Sequence, residues 1–471
     1  MHPVTRVVVV GAGISGLAAA WELSGGAEPA PDAPEVTVLE ASARLGGPLH
    51  TVALDGQEVD AGPDGFLGRR PEAVGLCAEL GLQDALRPVG ARGASVWARG
   101  RLRALPEGLA LGVPTRFWPV ARSGVLGPRG QLGLARDVLF PRPDRRGPIG
   151  DRSIGPLVAR KLGRRCVDVL VDPLIGGIHA GSVDDMSAAA VYPPLLAAAQ
   201  RRGSLMRALR AEVAAPDPDA PPLFWALEGG MSTLVSTLAD ALRGRGVTIS
   251  TGAGAHTLER AASRWRVRAP STEVEADAVV LAVPAPEAAA LLRPHDDEVS
   301  ALLDAIDYAG VTVVTLRVGE DTIGVPGHGT GFLVPSREPA AAGVDGWSVT
   351  ACTYLSQKWP HLARPGEVLL RASLGRQGDA RAEEWDDEEI VDRVLEDLSA
   401  LIGLDGDPVT AVVTRWPAAF PQYRVHHLLR VAGVEAALSR LGRLAVAGAA
   451  YRGVGIPACI ASGRAAARTV S

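Results

Sequence analysis

The chain has 471 residues, 47% of them hydrophobic, so it is long enough to bury a large core in two or three domains. Its formal net charge is −5, from 48 basic and 53 acidic side chains, and this near balance argues against nucleic-acid binding, which favours a basic domain. The four cysteines form no CxxC pair and no zinc-spaced cluster with histidine, so we expect buried reduced thiols, no metal site and a cytoplasmic location.

The first predicted element is a strand followed at once by a glycine loop and a helix. The β-branched run RVVVV at residues 6–10 is typical of a buried parallel strand, and the alanine-rich sequence from Leu17 favours a helix. Between them, Gly11 allows a tight turn, Gly13 lets a diphosphate approach the backbone, and Gly16 lets the helix pack on the strand. The helix N-terminus offers N–H groups to the phosphates. We therefore predict a dinucleotide site formed by Gly11, Ala12, Gly13, Ile14, Ser15 and Gly16.

The second predicted strand, EVTVLE, ends in Glu40, which is placed to bind a ribose hydroxyl. An Arg-x-Gly-Gly turn follows it, where a plain NAD-binding domain would continue into another strand–helix unit. This turn resembles the extended fingerprint of the FAD-binding amine oxidase superfamily, in which the arginine and the glycines lie along the diphosphate. The resemblance implies FAD as the cofactor. It assigns to FAD a further set of residues: Glu40, Ala41, Arg44, Gly46, Gly47, Pro48, Gly62, Pro63, Asp64 and Gly65.

Strand and helix patterns typical of a doubly wound sheet return late in the chain. We expect an α/β multidomain fold with one discontinuous Rossmann-like FAD-binding domain, made of residues 1–85, 222–290 and 430–471. Residues 86–221 are predicted to form a mainly helical insertion, and residues 291–429 a β-rich substrate-binding domain. Two proline-rich segments, 143–153 and 214–222, have the composition of linkers.

The chain closes as it opens, with a glycine loop before an alanine-rich helix. FAD is long, so its adenine end would use the first loop while its ring reaches the far side of the domain, where the closing helix offers N–H groups. The resemblance adds to the cofactor set Ala255, Trp416, Gly448, Val454, Gly455 and Ile456. Ala449 and Ala458 stand where the family usually has asparagine and aspartate, and we expect from them a changed oxidation rate more than a loss of FAD.

Several motifs distinguish among the members of the superfamily. The sequence DPLIGGIHAGSVDDMSA, from residue 172, is similar to the signature of protoporphyrinogen and coproporphyrinogen oxidases, with His179 in place of the usual tyrosine. The segments SQKWPH, RWPAAFPQYRVHH and GAAYRGVGIPACI resemble further motifs of these enzymes, in the same order. The resemblance is strongest to the oxygen-dependent, coproporphyrinogen-using branch of Gram-positive bacteria.

This resemblance implies an FAD-dependent oxidase of haem biosynthesis that removes six electrons from coproporphyrinogen III, in three rounds that use three O2 and release three H2O2. In each round hydride would pass from a bridging carbon to the flavin and a proton would leave a pyrrole nitrogen. The flavin carries this chemistry, so no catalytic side chain is expected, and His179 is predicted as a cavity-wall residue rather than a general base. Protoporphyrinogen oxidation is the alternative with the same chemistry. Another amine-oxidase-type flavoenzyme and a degenerate flavoprotein that binds a tetrapyrrole without oxidising it also stay open.

The propionate groups of such a substrate need cations, and Arg70 follows the sequence GPDGFL, which is expected beside the flavin. The resemblance puts a basic substrate-binding residue at Arg70, while a solvated surface arginine is the alternative. Gly177 would let a flat ring approach the backbone. The full set of residues predicted around the macrocycle is Arg70, Gly177, Ile178, His179, Leu333 and Ser373.

No segment is typical of a signal peptide or of a membrane-spanning helix. Residues 115–140 mix aromatic residues, leucines and arginines, so peripheral contact with the inner face of the cell membrane and a cover over a substrate cavity are both compatible with them. The expected partners are the tetrapyrrole and O2, without nucleic acid, and the resemblance raises transient contact with a ferrochelatase. Monomer and homodimer both stay open.

Overall fold

The computed structural model describes residues 5–28, 32–140, 150–213, 221–261, 263–325, 327, 329–340 and 346–471. Most of the two predicted linkers lies outside these ranges. The chain divides into two compact units, one made of residues 1–88, 221–307 and 428–471, the other of residues 89–220 and 308–427. Both contain strands and helices, and the predicted α/β multidomain class is confirmed. The division into three domains stays a prediction.

The first unit is built on a five-stranded parallel sheet. Its strands lie in the order Thr248–Ser250, Glu35–Leu39, Arg6–Val10, Ala278–Leu281 and Leu444–Val446. Val7 to Val10 of the central strand are buried, as the β-branched run predicts. Because all five strands run the same way, their carboxyl ends meet at one edge of the sheet, which is where ligands bind in sheets of this type.

Shorter strands and helices surround this sheet. The strands are Thr51–Leu54, Gln57–Asp60, Phe66–Leu67, Leu86–Pro88, Phe224–Leu227, Thr257–Ala261, Arg264–Ala269 and Thr272–Ala276. The helices are Ile14–Leu23, Pro71–Glu79, the 3-10 turn Gln83–Ala85, Ser232–Gly244, Ala285–Leu292, Asp297–Asp304, His427–Leu441, Ala449–Arg452 and Ile456–Val470. Leu234, Leu238 and Leu242 are all buried, and their spacing of four residues places them on one side of the helix Ser232–Gly244.

The first and last helices of the chain pack against each other in the core of the first unit. The closest approach is at Gly463, where a Cβ atom would lie 2.0 Å from the carbonyl oxygen of Ser15. An ion pair between Arg468 Nη1 and Glu22 Oε1, 2.7 Å apart, also joins the two helices. The beginning and the end of the chain therefore share one core.

The second unit is built on a seven-stranded mixed sheet. In spatial order its strands are Thr410–Pro421, Tyr308–Gly319, Glu367–Leu374, Val349–Tyr354, Gly331–Leu333, Ser95–Trp97 and Leu102–Ala104. Alternate residues of these strands, such as Leu316, Leu370 and Cys352, are buried in a core that includes the helix Asp387–Ile402. One face of the sheet is therefore covered by that helix.

The rest of the second unit is mainly helical, apart from the paired strands Leu109–Ala110 and Val113–Pro114. The helices are Phe117–Ser123, Gly127–Leu139, Ile154–Leu162, Arg164–Cys166, Gly177–His179, Ala188–Val191, Pro193–Gln200, Leu205–Glu212, Leu355–Lys358, Arg381–Glu384 and Asp387–Ile402, with the 3-10 turns Glu320–Thr322 and Pro360–Leu362. Val167–Gly176 forms a π-helix, which no sequence pattern predicted; π-helical turns are rare and frequent at functional sites. None of the helices in the described part of the chain has the length and apolar character that crossing a bilayer demands.

Candidate functional site

The carboxyl ends of the parallel sheet carry many of the predicted cofactor-binding residues. Gly11, Glu40 and Gly448 each follow the end of a strand within two residues. The segment that leaves the edge strand Thr248–Ser250 reaches the same edge, because Ala253 N donates to Glu40 O at 2.7 Å. The sheet thus brings residues from the beginning, the middle and the end of the chain to one edge.

The first glycine loop has the backbone geometry that its sequence predicts. Gly11 has a φ of +99°, and a Cβ atom there would lie 2.5 Å from the carbonyl oxygen of Ala282. A Cβ atom at Gly16 would lie 1.9 Å from the carbonyl oxygen of Gly11. At Gly13, by contrast, nothing lies within 4 Å of the Cβ position, and the helix Ile14–Leu23 begins there without a side-chain cap. An uncapped helix start beside open space fits the diphosphate of FAD.

The Arg-x-Gly-Gly turn lies directly beside this loop. Gly46 N donates to Ala12 O at 2.9 Å, and a Cβ atom at Gly47 would lie 3.7 Å from Gly13 Cα. The Glu40 carboxylate accepts a hydrogen bond from Ala12 N at 2.7 Å, which holds it at the same edge. Residues predicted from two separate motifs therefore meet within the first unit.

Arg44 is held by the backbone of its own turn. Its Nη1 donates to the carbonyl oxygens of Leu45 and Leu49 at 3.2 and 3.3 Å. Burial lowers the pKa of Arg44 and outweighs the attraction of the Glu40 carboxylate. Burial and the nearby charge of Arg44 also lower the pKa of His50. A guanidinium fixed at this edge suits an anionic group of the cofactor.

Asp60 lies two residues before the segment Gly62–Gly65 and is held by hydrogen bonds from two other parts of the first unit. Its carboxylate accepts hydrogen bonds from Thr51 Oγ1 at 2.7 Å and from Met231 N at 2.8 Å, so it ties a hairpin to the start of the helix Ser232–Gly244. Sequence reasoning missed Asp60. The only signal in the sequence was an acidic residue just before the GPDG motif. Asp64, predicted near the cofactor, is also buried.

The closing loop leads into a second uncapped helix. Gly448 has a φ of +135°, and its N–H donates to Ser462 Oγ at 3.1 Å. Gly455 precedes the helix Ile456–Val470, which begins without a side-chain cap. Ala458, in the first turn of this helix, is buried. The same feature that fits a phosphate at Gly13 thus recurs at Gly455, where it fits the electron-poor carbonyl end of the flavin ring.

In the second unit, predicted residues lie on the sheet face opposite the helix Asp387–Ile402. Ser373, Ala351 and Leu333 are direct partners across three neighbouring strands, so their side chains project to the same side. Ser373 also pairs with Val313 on the next strand, and Trp416 pairs with Val311 on that same side. The side chains of Leu333, Ala351, Ser373 and Trp416 are half-buried, so this face of the sheet is only partly covered.

Gly177, Ile178 and His179 form a short turn of helix directly after the π-helix of the second unit. A Cβ atom at Gly177 would lie 3.8 Å from Leu333 Cδ2, and Ile178 is 48% exposed. Burial lowers the pKa of His179 to about 4, and its Nδ1 has no hydrogen-bond partner among the described residues. The imidazole is therefore neutral near pH 7 and does not supply a cation for a propionate.

Arg70 lies in the first unit, just before the helix Pro71–Glu79. Its guanidinium hydrogen-bonds to the Glu72 carboxylate at 2.7 and 3.3 Å, and its side chain is 45% exposed. Burial acts to raise the pKa of Glu72, but the hydrogen bond and charge of Arg70 outweigh it, so the pKa is lowered. A propionate would have to share Arg70 with this carboxylate. The neighbouring Arg69 is exposed and has no such partner among the described residues.

The predicted buried thiols are confirmed, because Cys77, Cys166, Cys352 and Cys459 are free and buried. Within the described ranges, no three His, Cys, Asp or Glu side chains are grouped to hold a metal ion. Apart from Trp416, the predicted cofactor residues belong to the first unit, as does Arg70. The other predicted substrate residues belong to the second unit.

Comparison with known proteins shows similarity to one family over almost the whole chain. The model of the flavin containing amine oxidoreductases matches residues 14–471. The coproporphyrinogen III oxidase of Bacillus subtilis (strain 168) is 31% identical over 470 residues, which cover 98% of this chain and 97% of that protein. That of Mycobacterium leprae (strain TN) is 36% identical over 461 residues, 97% of this chain and 96% of the other. A solved structure from Exiguobacterium sp. 255-15, provisionally described as a protoporphyrinogen oxidase, has a TM-score of 0.87 at 31% identity and covers 99% of this chain and 98% of its own.

Proposed function

Because the chain belongs to the flavin containing amine oxidoreductase family, we propose that it is a coproporphyrinogen III oxidase of haem biosynthesis. The substrate loses six electrons and six protons to become coproporphyrin III, and three O2 are reduced to three H2O2. The observation that carries this proposal is similarity over almost the whole chain to coproporphyrinogen III oxidases. The cofactor is FAD, which when bound supplies the hydride acceptor and passes electrons to O2.

The residues at the edge of the parallel sheet would hold FAD. The N–H groups that follow Gly13 would receive the diphosphate, and Glu40 would receive a ribose hydroxyl. The helix that begins after Gly455 would face the carbonyl end of the ring and favour the negative charge that the ring gains on reduction. Both helices begin without a side-chain cap, which supports these roles because their first N–H groups are not bound by a capping side chain.

The half-buried sheet face and the turn at Gly177 would bind the macrocycle. Gly177 and Leu333 together offer a site without a bulky polar group, which suits a flat tetrapyrrole. The main task of these residues would be to hold the macrocycle in one orientation, because hydride transfer needs the reacting atoms to be close and aligned. The neutral imidazole of His179 would belong to the wall of this site, with no acid–base role.

Protoporphyrinogen IX is the second candidate substrate, because it undergoes the same chemistry and the Exiguobacterium structure carries that description. The two substrates differ in the number of propionates, four against two. The pairing of Arg70 with Glu72 bears on this choice, since a guanidinium shared with an internal carboxylate attracts a propionate less strongly.

One experiment tests the function directly. Purified protein loaded with FAD should lose its yellow colour when coproporphyrinogen III is added under nitrogen. In air it should form coproporphyrin III with three O2 consumed for each porphyrin. Steady-state rates with coproporphyrinogen III and protoporphyrinogen IX then decide the preferred substrate. A flavin that keeps its colour with both substrates would exclude the oxidase reaction.

We further propose that the helices Phe117–Ser123 and Gly127–Leu139 bind peripherally to an anionic membrane surface. Four large apolar side chains of this segment are 67–73% exposed: Trp118, Leu132, Leu139 and Phe140. Within residues 115–140 the cations are Arg116, Arg122, Arg129 and Arg136. The only acid there, Asp137, is buried and accepts hydrogen bonds from Ser204 Oγ and Leu205 N. Exposed apolar groups beside arginines suit anionic lipid headgroups.

The cytoplasmic location, the contact with a ferrochelatase and the choice between monomer and homodimer stay predictions. Analytical ultracentrifugation of the purified protein, alone and mixed with a ferrochelatase, measures the last two. A single species with the mass of one chain, unchanged by the ferrochelatase, would contradict both homodimer and stable complex.

A further inference from the structure

The turn Gly176–Gly181, which carries Gly177, Ile178 and His179, has an unusual backbone. It continues from the ten-residue π-helix and includes Ala180, whose φ and ψ are 47° and 41°. An alanine in this left-handed region costs conformational energy, and such strain persists only where the surroundings hold it. The turn therefore depends on contacts from other parts of the second unit.

Those contacts reach three successive carbonyl groups. Gln422 Nε2 donates to His179 O at 2.9 Å, and Gln377 N donates to Ala180 O at 2.7 Å. Arg376 Nη2 donates to Gly181 O at 3.2 Å. Each of these three carbonyl groups is thus fixed by a donor that is distant in sequence.

Arg376 also binds the π-helix that precedes the turn. Its Nη2 lies 3.2 Å from Asp172 Oδ2, and the side chains are only 19% and 9% exposed. The other oxygen of Asp172 accepts from Val183 N at 3.1 Å, just after the turn. The guanidinium and the carboxylate together clamp the turn at both ends, and a charge-assisted hydrogen bond in a buried place is a strong one.

The position of Arg376 in the sheet links this clamp to the rest of the predicted substrate site. The strand Glu367–Leu374 carries Ser373, and Arg376 follows two residues after its end. Ser373 lies on the half-buried face that also carries Leu333. Arg376 therefore connects the sheet face to the turn without itself belonging to the predicted set of substrate residues.

We propose that Arg376 is a positioning residue for the tetrapyrrole: through Gly181 and Asp172 it holds the turn that presents Gly177, Ile178 and His179 to the macrocycle. This inference rests on the proposed function. A flat ring held between rigid groups tolerates little displacement, and an error of about 1 Å can cost a hundredfold in rate.

The test compares Arg376→Gln with Arg376→Lys and with the control Arg393→Gln, in which an exposed arginine paired with Glu389 is changed in the same unit. The affinity for coproporphyrin III is measured by fluorescence titration, beside KM, kcat, bound FAD and melting temperature. Arg376→Gln should weaken coproporphyrin binding and raise KM by roughly tenfold or more, with the FAD content unchanged. Arg376→Lys should recover part of this loss, and the control should match wild type.

Removing Arg376 alone leaves the Asp172 carboxylate buried without its cation, which can prevent folding. The double variant Asp172→Asn/Arg376→Gln removes both charges, and Gln422→Met releases His179 O without stranding a charge. Both should weaken coproporphyrin binding while the protein stays folded and yellow. Unchanged affinity and KM in these variants and in Arg376→Gln would overturn the positioning role alone. A wild-type protein that neither binds coproporphyrin nor oxidises coproporphyrinogen would overturn the proposed function, and this inference with it.

Discussion

Gly463, in the last helix, lies so close to Ser15, in the first helix, that a Cβ atom on Gly463 would stand 2.0 Å from the carbonyl oxygen of Ser15. The same carbon would lie 3.1 Å from Ala19 N. Only a residue without a side chain lets two helix backbones approach this closely. The two ends of the chain are therefore joined by a direct backbone contact inside the unit that we expect to bind FAD.

The Gly463 contact predicts a stability effect. Gly463→Ala should destabilise the protein by about 1–3 kcal/mol, because the methyl group must push two packed helices apart. Gly75→Ala is the matched control, since Gly75 is also helical and has nothing within 4 Å of its Cβ position. That change should be neutral or stabilise by about 0.5–1 kcal/mol. Urea denaturation measures both, and equal stability of the two variants would contradict the close approach.

Substitutions at Gly11 and at Gly13 should separate an effect on folding stability from an effect on FAD binding. Gly13→Asp adds a side chain into open space, so the apoprotein should keep its melting temperature while the carboxylate weakens FAD binding by about tenfold or more. Gly11→Ala should instead lower the melting temperature of the apoprotein, because φ is +99° and the Cβ meets Ala282 O. Apoprotein melting curves and FAD titrations distinguish the two. Tight FAD binding by Gly13→Asp would argue against a diphosphate at this loop.

The pair Arg70 and Glu72 should tune substrate preference. If Arg70 binds a propionate, Arg70→Ala should reduce kcat/KM more for coproporphyrinogen III than for protoporphyrinogen IX. Glu72→Gln should instead raise kcat/KM more for coproporphyrinogen III than for protoporphyrinogen IX, because it releases the guanidinium of Arg70 from its internal partner. Each effect is expected to be about threefold to tenfold, as for one charged hydrogen bond at a partly exposed site. Parallel changes with both substrates would leave Arg70 as a surface residue.

His179 should make stability depend on pH in a defined window. Burial lowers its folded-state pKa to about 4, below the ordinary value of 6.5, so the unfolded chain binds the proton more readily. Stability from this group is present above pH 6.5 and is lost as pH falls from 6.5 towards 4, up to about 3 kcal/mol. His179→Phe should flatten that part of the profile, whereas the exposed control His256→Gln should not. Unfolding free energies measured across this range check it.

Membrane binding by the exposed segment can be tested with vesicles. Wild-type protein should float with phosphatidylglycerol vesicles at low salt and detach as salt is raised. Trp118→Ser together with Phe140→Ser should weaken this by about tenfold or more, since two large apolar groups no longer enter the interface. Val409→Ser, which changes another exposed apolar residue of the same unit, is the control. Binding that survives the double change would place the contact elsewhere.

The sequence was sufficient to predict those parts of the candidate site that depend on the backbone of one short segment. Gly11 and Gly16 could be assigned because a strand, a tight loop and a helix within eighteen residues allow few arrangements, and the parallel strand at residues 6–10 has a distinctive composition. The turn at Gly46 and Gly47 was also recognisable, because two successive glycines favour a turn that other residues resist. In the structure both glycines have a positive φ.

Contacts between distant segments were beyond sequence reasoning. Arg376 and Asp172 are 204 residues apart, and nothing in either segment indicates that they pair. The π-helix before the turn, which contains Pro173, has no sequence signature either. Arg70 is an intermediate case: Glu72 stands only two residues away, so its competition for the guanidinium could have been considered from the sequence.

The strand order of the parallel sheet has a consequence for how this protein is made. The strand Arg6–Val10 lies between Glu35–Leu39 and Ala278–Leu281, and Leu444–Val446 completes the edge. A ribosome delivers Glu35–Leu39 soon after Arg6–Val10 but Ala278–Leu281 only much later, so one edge of Arg6–Val10 stays unpaired while the residues between them are made. An exposed strand edge can pair with another chain, so this stage of synthesis is the one most open to misassembly. The FAD site that we propose at this edge includes Gly448, so it is complete only after the strand Leu444–Val446 has been made.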